Sequence, residues 1–238
     1  MDSISTDSTC LFKFSREKLA HELWVNGITL TLDKYRQDIL AAQNAIDGTL
    51  ENDTLSGNKQ PNLINGFEGS DRIVGRGGRD QIFGGSENDI LFGGSENDQL
   101  NGGLGNDILF GGSENDQLNG GLGGDLLIGG AGADHFILYS PSEKQDIIRD
   151  FTTQEDKIII DAKGFGGGLT PGVLGSESFT LGIAAQDLND RFIYNNSIGP
   201  KGYGKLLYDV DGSGPTQKVR IALFPNAPAL TATDFEII

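Results

Sequence analysis

Apolar residues recur every nine positions through the middle of the chain, between residues 48 and 137. Each nine-residue phrase opens on glycine and carries a polar residue at its sixth position, as in GGSENDILF at 84–92 and GGLGNDILF at 102–110. The eighth position is apolar in all ten phrases: Leu55, Ile64, Ile73, Ile82, Leu91, Leu100, Leu109, Leu118, Leu127 and Phe136. A short fixed period of this kind predicts a repeat architecture in which neighbouring phrases bury one another's apolar residues.

The pattern within each phrase predicts a turn followed by a strand. Glycines at the first two positions favour a turn over positions one to six, and the last three positions predict a short strand with its eighth residue pointing inward. The triplets ILF and QLN alternate between residues 90 and 119, so two phrases form one coil of eighteen residues. The fold class predicted is all-β, a right-handed parallel β-roll over residues 47–137.

The two flanks of the array differ from it in composition. Residues 1–46 contain few glycines and predict a short N-terminal helical cap, with an amphipathic helix over Asp33–Ile46. Residues 138–238 predict an antiparallel β C-terminal cap. Its expected strands are Asp146–Ile148, Lys157–Ile160, Phe192–Tyr194, Lys205–Tyr208 and Val219–Leu223. Each cap is expected to cover an open end of the array.

Composition and charge exclude several classes of protein. The chain has 36 glycines and a formal net charge of −16, and a nucleic-acid partner would require a basic face instead. The single Cys10 permits no intramolecular disulfide. No apolar run is long enough to span a membrane, and the N-terminus lacks the basic and apolar regions of a cleaved export signal.

The sixth position of the phrases supplies the candidate chemistry. It is aspartate in nine phrases and Asn62 in the other, and the coil of eighteen places these residues in two rows. One row is Asp53, Asp71, Asp89, Asp107 and Asp125, and the other is Asn62, Asp80, Asp98, Asp116 and Asp134. Two carboxylates about 5 Å apart repel by roughly 3 kcal/mol at an effective dielectric of about 20. The rows therefore require a cation, unless each Asp only hydrogen-bonds its own turn.

Calcium is the cation that the available donors favour. Two carboxylates and several turn carbonyls provide about six oxygens, whereas magnesium holds its water and zinc prefers His or Cys. The predicted carbonyl ligands belong to the second position of the phrases: Gly85, Gly94, Gly103, Gly112, Gly121 and Gly130. Counting pairs eighteen residues apart predicts about seven strong calcium sites, and the pair of Asn62 with Asp80 predicts a weaker one.

These phrases resemble the calcium-binding β-roll of RTX (repeats-in-toxin, haemolysin-type) proteins, whose pattern is G-G-x-G-x-D-x-U-x. GGLGNDILF and GGAGADHFI match every defined position. Glutamate replaces the fourth-position glycine at Glu51, Glu87, Glu96 and Glu114, and GNKQPNLIN at 57–65 lacks both the second glycine and the aspartate.

The C-terminal region resembles the segment that follows the repeats in serralysin-type secreted proteins. DIIRDF, LLYDVDGSG and the closing PALTATDF carry this likeness. The resemblance implies a type I secretion signal in residues 138–238 and export to the extracellular medium without a cleaved N-terminal signal peptide. The partners then expected are calcium ions, the type I secretion machinery, and a cell-surface or matrix polysaccharide or protein.

No catalytic motif accompanies the repeats. His21 and Glu22 begin a zinc-protease motif, but Val25 occupies the next ligand position, and no G-x-S-x-G is present. The DVDGSG loop has Arg220 where a calcium-binding EF-hand has glutamate. The predicted function is a non-catalytic, structural or adhesive module that folds on binding calcium outside the cell.

An alternative hypothesis assigns the chain to an enzyme. In that case it is the targeting or stabilising C-terminal part of a secreted hydrolase or epimerase, or it carries an active site in the C-terminal cap. The residues to inspect for such a site are Asp187, Asp190, Arg191 and Asp209.

Overall fold

The computed structural model describes residues 44–196, 202–212 and 217–238, which belong to one compact unit, Asn44–Ile238. The nonapeptide array forms eleven strands. They are β1 (Ala45–Asp47), β2 (Thr54–Ser56), β3 (Leu63–Phe67), β4 (Arg72–Gly77), β5 (Gln81–Ser86), β6 (Ile90–Ser95), β7 (Gln99–Leu104), β8 (Ile108–Ser113), β9 (Gln117–Leu122), β10 (Leu126–Ala131) and β11 (His135–Leu138).

Successive strands of the array alternate between two facing sheets. The odd-numbered strands pair with one another in parallel, and so do the even-numbered ones. The register offset is eighteen residues throughout the array, as in Gln81 opposite Gln99 and Ile90 opposite Ile108. This arrangement confirms the coil of two phrases.

The eighth-position residues form the core of the roll. From Ile64 to Phe136 they are at most 2% exposed, because period-two alternation turns each of them into the space between the sheets. Each one packs in the same buried cluster as its neighbours. One apolar residue per phrase is therefore enough to build a continuous hydrophobic column.

The strands are longer than the predicted triplets. Strands β4 to β10 have six residues each and continue through positions one to three of the following phrase. Pairing between coils continues into these positions because the first-position N–H also donates a hydrogen bond to the next coil, as from Gly57 to the carbonyl of Val74 at 2.8 Å. The turn is therefore confined to positions four to six.

The first strand overlaps the predicted N-terminal helix. Ile46 lies in β1, opposite Ile64 of β3, and Asn44 is a bend, so the helix predicted for Asp33–Ile46 is wrong at its last three residues. Ile46 lies nine residues before Leu55 and therefore continues the eighth-position column. The rest of the helical cap falls outside the described residues.

The described residues beyond Ile137 form eight further strands and one short helix. They are β12 (Asp146–Ile148), β13 (Lys157–Ile160), α1 (Ala162–Phe165), β14 (Gly172–Val173), β15 (Phe179–Leu181), β16 (Phe192–Asn195), β17 (Gly204–Tyr208), β18 (Val219–Phe224) and β19 (Phe235–Ile237). Single 3-10 turns lie at Ser176–Ser178 and Ala232–Asp234.

These strands complete both sheets. Strands β12 and β13 add one more parallel coil, and β18 and β19 pair in parallel with them. Strands β16, β17 and β18 pair antiparallel, as do β14 and β19. The predicted all-β parallel roll with antiparallel strands at its C-terminal end is thus confirmed. Strands β12 and β13, expected in the antiparallel cap, instead pair in parallel with the roll because they keep its register.

The outer faces of the two sheets differ at the seventh position of the phrases. The even-numbered strands present half-buried apolar residues, and the rings of Phe92 and Phe110 stack there with centroids 4.8 Å apart. The odd-numbered strands present the exposed amides of Gln81, Gln99 and Gln117 at the same position of the phrase. The alternation of ILF with QLN along the chain therefore places ILF in the even-numbered strands and QLN in the odd-numbered strands.

Within the described residues, no helix has both the length and the apolar character needed to cross a membrane.

Candidate metal centre

The sixth-position aspartates form two buried rows, one on each side of the roll. From Asp71 to Asp134 each is at most 3% exposed. The Oδ1 atom of each accepts a hydrogen bond from the backbone N–H of the preceding member of its row, at 2.7–2.9 Å. Each of these carboxylates therefore bonds the neighbouring coil through one of its two oxygens.

The second carboxylate oxygen is unpaired in most aspartates of the two rows. Seven Oδ2 atoms are buried without a hydrogen-bond partner among the described residues, those of Asp71, Asp80, Asp89, Asp98, Asp107, Asp116 and Asp125. Leaving a buried acceptor unsatisfied costs about 1–3 kcal/mol, and more when it is charged. A regular series of such atoms indicates positions that a cation fills.

The first-position glycines form a cradle beside each unpaired oxygen. A Cβ atom on Gly84 would overlap both Oδ2 of Asp89 and the carbonyl oxygen of Gly102, which belongs to the next coil. The same pair of overlaps, with an unpaired Oδ2 and a next-coil carbonyl, occurs at Gly66, Gly75, Gly84, Gly93, Gly102 and Gly111. Oxygens from two successive coils thus converge at six equivalent places.

The backbone at the second position decides whether Oδ2 is free. In the first two phrases, the N–H of Thr49 bonds Oδ2 of Asp53 at 2.6 Å and that of Asn58 bonds Oδ1 of Asn62 at 2.8 Å. From the third phrase onward φ at the second position is positive, between 79° at Phe67 and 125° at Gly112. We attribute the unpaired Oδ2 atoms to this change of φ, because it reorients the second-position N–H. The side chains of Asp53 and Asn62 therefore accept hydrogen bonds from their own turns, which was the alternative to a cation.

The first- and second-position carbonyls have different surroundings in the roll. The second-position carbonyls of Gly85, Gly94, Gly103 and Gly112 face the second-position glycine one coil further on. The carbonyls that flank a first-position glycine together with Oδ2 belong to the first position of the next coil, at Gly84, Gly93, Gly102, Gly111, Gly120 and Gly129. The sequence signal that could have identified them is the glycine at the first position of all ten phrases.

Burial also raises the pKa of the buried aspartates in the rows. It raises the pKa of Asp80, Asp107 and Asp134 to about 6, of Asp89 and Asp98 to about 7, and of Asp116 to about 8. Acidic neighbours raise these pKa values further, and the hydrogen bond from the preceding coil opposes them. The protein surroundings alone thus disfavour the ionised carboxylates that a cation would stabilise.

Two aspartates beyond the phrases extend the rows. Oδ1 of Asp146 accepts the N–H of Asp125 at 3.0 Å, and Oδ1 of Asp156 accepts the N–H of Asp134 at 2.9 Å. Sequence analysis missed both, because insertions lengthen the spacing to 21 and 22 residues. The local signal is an aspartate two residues before a buried isoleucine, Ile148 or Ile158, as in the phrases.

Glutamates at the fourth position preserve the turn. Glu87, Glu96 and Glu114 have φ between 70° and 74°, a left-handed conformation that favours glycine. The carboxylate of Glu87 accepts the N–H of Gly69 at 2.8 Å, and that of Glu114 accepts the N–H of Glu96 at 2.9 Å. These bonds lower the pKa of both exposed carboxylates and offset part of the backbone strain.

The residues considered for an enzyme site mainly stabilise turns. The Oδ2 atom of Asp190 accepts the N–H of Gln186, and Oδ1 of Asp187 accepts the N–H of Asn189 at 2.8 Å. The guanidinium of Arg191 donates to the carbonyls of Gly167 and Leu188.

Only Arg191 of those four residues lines the neighbouring cavity of about 230 Å³. The structure therefore does not bring Asp187, Asp190, Arg191 and Asp209 together around this cavity.

No cluster of three or more His, Cys, Asp or Glu side chains suited to a metal occurs in the described part of the chain. An ion held by the rows would therefore complete its shell with backbone or other oxygens. That donor chemistry suits calcium, which accepts carboxylate and carbonyl oxygens in flexible geometry.

The fold and the two rows define a class of protein, a β-solenoid repeat protein with stacked, buried carboxylates. The family described as RTX calcium-binding nonapeptide repeat (4 copies) matches residues 47–82, 75–109, 83–118 and 110–138. Residues 47–138 are thus RTX calcium-binding nonapeptide repeats, as the sequence resemblance indicated. No curated protein matches the chain.

The solved structures that are similar to the chain include the following two. One is the solution structure of the AlgE6R3 subunit from the Azotobacter vinelandii mannuronan C5-epimerase, with 23% identity and a TM-score of 0.31, covering 79% of each chain. The other is the extracellular lipase LipA from Serratia marcescens, with 14% identity and a TM-score of 0.33. The match covers 82% of this chain and 40% of the lipase, so the chain spans about two-fifths of that enzyme.

Replacing the first-position glycine of one cradle by alanine tests the convergence of oxygens. In Gly84→Ala, the new methyl group overlaps Asp89 Oδ2 and the Gly102 carbonyl, so calcium-dependent stability should fall by about 1–3 kcal/mol. Gly124→Ala is the matched control, because its Cβ would meet its nearest atoms at 3.4 and 3.6 Å and should change stability by less than about 0.5 kcal/mol. Denaturant unfolding in calcium measures both. Equal effects would contradict the cradle.

The raised pKa values predict opposite pH dependences for the calcium-free and calcium-bound protein. The unfolded carboxyls titrate near about 3.9, so protonation stabilises the calcium-free fold at low pH, and that stability is lost as pH rises through about 6 to 8. Calcium requires the ionised form, so calcium affinity should rise over the same range. Denaturant unfolding of calcium-free protein and calcium titrations, each at pH 5 and pH 8.5, measure the two trends. Calcium-free stability that increased with pH would contradict this assignment.

Proposed function

We propose that the chain is a secreted, non-catalytic module whose roll folds when calcium fills the two aspartate rows outside the cell. The observation that carries this proposal is the series of seven buried Oδ2 atoms without a hydrogen-bond partner in the described structure. The repeat segment, residues 48–137, has fourteen acids against four bases, and this self-repulsion opposes folding without calcium. Calcium binding and folding are then a single coupled event.

The proposed ligands follow the six cradles. Each ion lies between successive coils, and its donors include Oδ2 of one row aspartate and the first-position carbonyl of the next coil. Those aspartates are Asp71, Asp80, Asp89, Asp98, Asp107 and Asp116. The charge of the following aspartate in the row offsets that of the ion. Asp53 and Asn62 contribute less, because the oxygens facing their own turns already accept hydrogen bonds.

The secreted location is supported by the match between chemistry and compartment. Extracellular calcium modules work with dissociation constants of about 10⁻⁴–10⁻³ M, a range that leaves them empty in the cytosol. The last strand, β19, lies between β13 and β14, and its Phe235 and Ile237 are buried. A type I secretion signal in this segment would be accessible only in the unfolded chain. Folding after export therefore fits both the calcium affinity of extracellular modules and the burial of β19 in the folded chain.

A structural or adhesive role fits the exposed surface of the roll. Calcium creates a rigid solenoid whose outer faces are presented to the medium, one of them carrying the Gln81, Gln99 and Gln117 amides. A cell-surface or matrix polysaccharide or protein is the partner we propose. The charged residues considered for catalysis are occupied by turn and backbone hydrogen bonds, which supports a non-catalytic role.

Circular dichroism with and without calcium tests the coupling of binding to folding. We expect a β-sheet spectrum in millimolar calcium and a largely unfolded spectrum in chelator at pH 7.5. Each site that is filled at one hundred times its dissociation constant adds about 2.7 kcal/mol to the folded state. A β spectrum that persists unchanged in chelator would overturn the proposal.

The contribution of individual row members is tested by comparing Asp107→Asn with Asp53→Asn. Asp107 has an unpaired Oδ2 and neighbours in its row on both sides, whereas Oδ2 of Asp53 accepts two hydrogen bonds from Thr49. Asp107→Asn should therefore reduce calcium affinity more than Asp53→Asn in calorimetric titrations. Equal losses would contradict the stacking scheme.

A further inference from the structure

The end of one aspartate row is a buried pair outside the nonapeptide phrases. Asp125 and Asp146 are each 1% exposed, and the N–H of Asp125 donates to Oδ1 of Asp146 at 3.0 Å. The strands that carry them keep the register of the roll, with Leu127 of β10 opposite Ile148 of β12. Asp146 therefore occupies the sixth-position site of a coil that has no nonapeptide sequence.

Two unpaired oxygens occur at this junction. Oδ2 of Asp125 and Oε1 of Gln145, the residue next to Asp146, are both buried without a hydrogen-bond partner among the described residues. Glu143 is 8% exposed, and its carboxylate accepts the N–H of Tyr139 at 3.2 Å. Burial raises the pKa of Asp146, and the negative charges of Asp125 and Glu143 raise it further. Three acids and two unpaired oxygens are thus concentrated in one part of the fold.

The donor set differs from that of the six cradles. The three atoms nearest to a Cβ built on Gly120 all belong to Asp125, whereas the cradles also have a carbonyl oxygen from the next coil there. The residue at the first position of the added coil, 141–149, is Pro141. Gln145 supplies a neutral side-chain oxygen, which is a donor that calcium accepts.

We propose that Asp125, Asp146 and Gln145 bind an additional calcium ion at the junction between the nonapeptide roll and the C-terminal strands. Glu143 adds negative charge from a position held by its own hydrogen bond. The inference rests on the proposed calcium-dependent folding of the roll and extends it beyond the segment of RTX repeats.

The location gives this ion a specific structural effect. Strand β12 carries Asp146 and lies between β10 of the roll and β18. Strands β16, β17 and β18 pair antiparallel next to it. An ion that joins Asp125 to Asp146 fixes β12 on the roll and couples this group of strands to calcium.

The other row provides a matched control. Asp156 also extends its row, and its Oδ1 accepts the N–H of Asp134 at 2.9 Å. Its Oδ2 already accepts the N–H of Thr152 at 2.7 Å, as Oδ2 of Asp53 does from Thr49. Because both oxygens of Asp156 are hydrogen-bonded, the inference assigns no ion to it.

Counting bound calcium in the full chain tests the inference. Equilibrium dialysis at saturating calcium, followed by metal analysis, should show one ion fewer for Asp146→Asn than for the unsubstituted chain. Asp156→Asn should show no loss. An unchanged count for Asp146→Asn, or an equal loss for Asp156→Asn, would overturn the inference. If the unsubstituted chain binds no calcium, the proposed function itself fails.

A second variant keeps the test decisive if Asp146→Asn does not fold. In Asp146→Asn, the new side chain keeps an oxygen that can accept the N–H of Asp125. The second variant, Glu143→Gln, leaves both Asp125 and Asp146 in place. Glu143→Gln should weaken one calcium-binding step in a titration, because it removes a nearby negative charge, and it should keep the saturated count. A titration curve identical to that of the unsubstituted chain would refute the junction site.

Discussion

The stacking of buried carboxylates at intervals of one coil is the constraint on which the rest of the structure depends. A parallel solenoid brings equivalent residues into register about 4.8 Å apart, so any charge that repeats with the coil faces its own copy. The rows from Asp71 to Asp134 are almost fully buried, which deprives them of solvent screening. The fold can retain them only as protonated acids or as ligands of a cation. Under the proposed function, calcium is that cation at neutral pH.

The turn conformation differs between the sixth-position residues that bond their own turn and those whose Oδ2 is unpaired. At Thr49 and Asn58 the second-position N–H bonds the side chain of the sixth residue, and the acid or amide stabilises its own turn. Positive φ at this position accompanies the loss of that bond and an unpaired Oδ2. Phe67 and Arg76 adopt positive φ without being glycine, so the coil geometry enforces the conformation even where the residue opposes it.

The same geometry explains how the roll continues without its consensus sequence. Asp146 and Asp156 accept hydrogen bonds from the row members before them, and Ile148 and Ile158 extend the apolar column. The edge of the last nonapeptide coil is therefore covered by strands of the same register. Parallel pairing of β12 and β13 with the roll, followed by antiparallel pairing of β16 to β18, converts a repetitive structure into a closed end.

The sequence by itself determined the period, the alternation between two sheets, the apolar column and the identity of the stacked acids. Each of these depends on residue type at a fixed interval, and Asp89 or Leu109 needs no further information to be placed. Only the tertiary structure decided that the strands run through positions one to three, and that Oδ2 and a next-coil carbonyl flank the same first-position glycine. It also brought Asp146 and Asp156 into the rows. These features depend on backbone dihedrals and on pairing across insertions, which a periodic pattern of residue types does not encode.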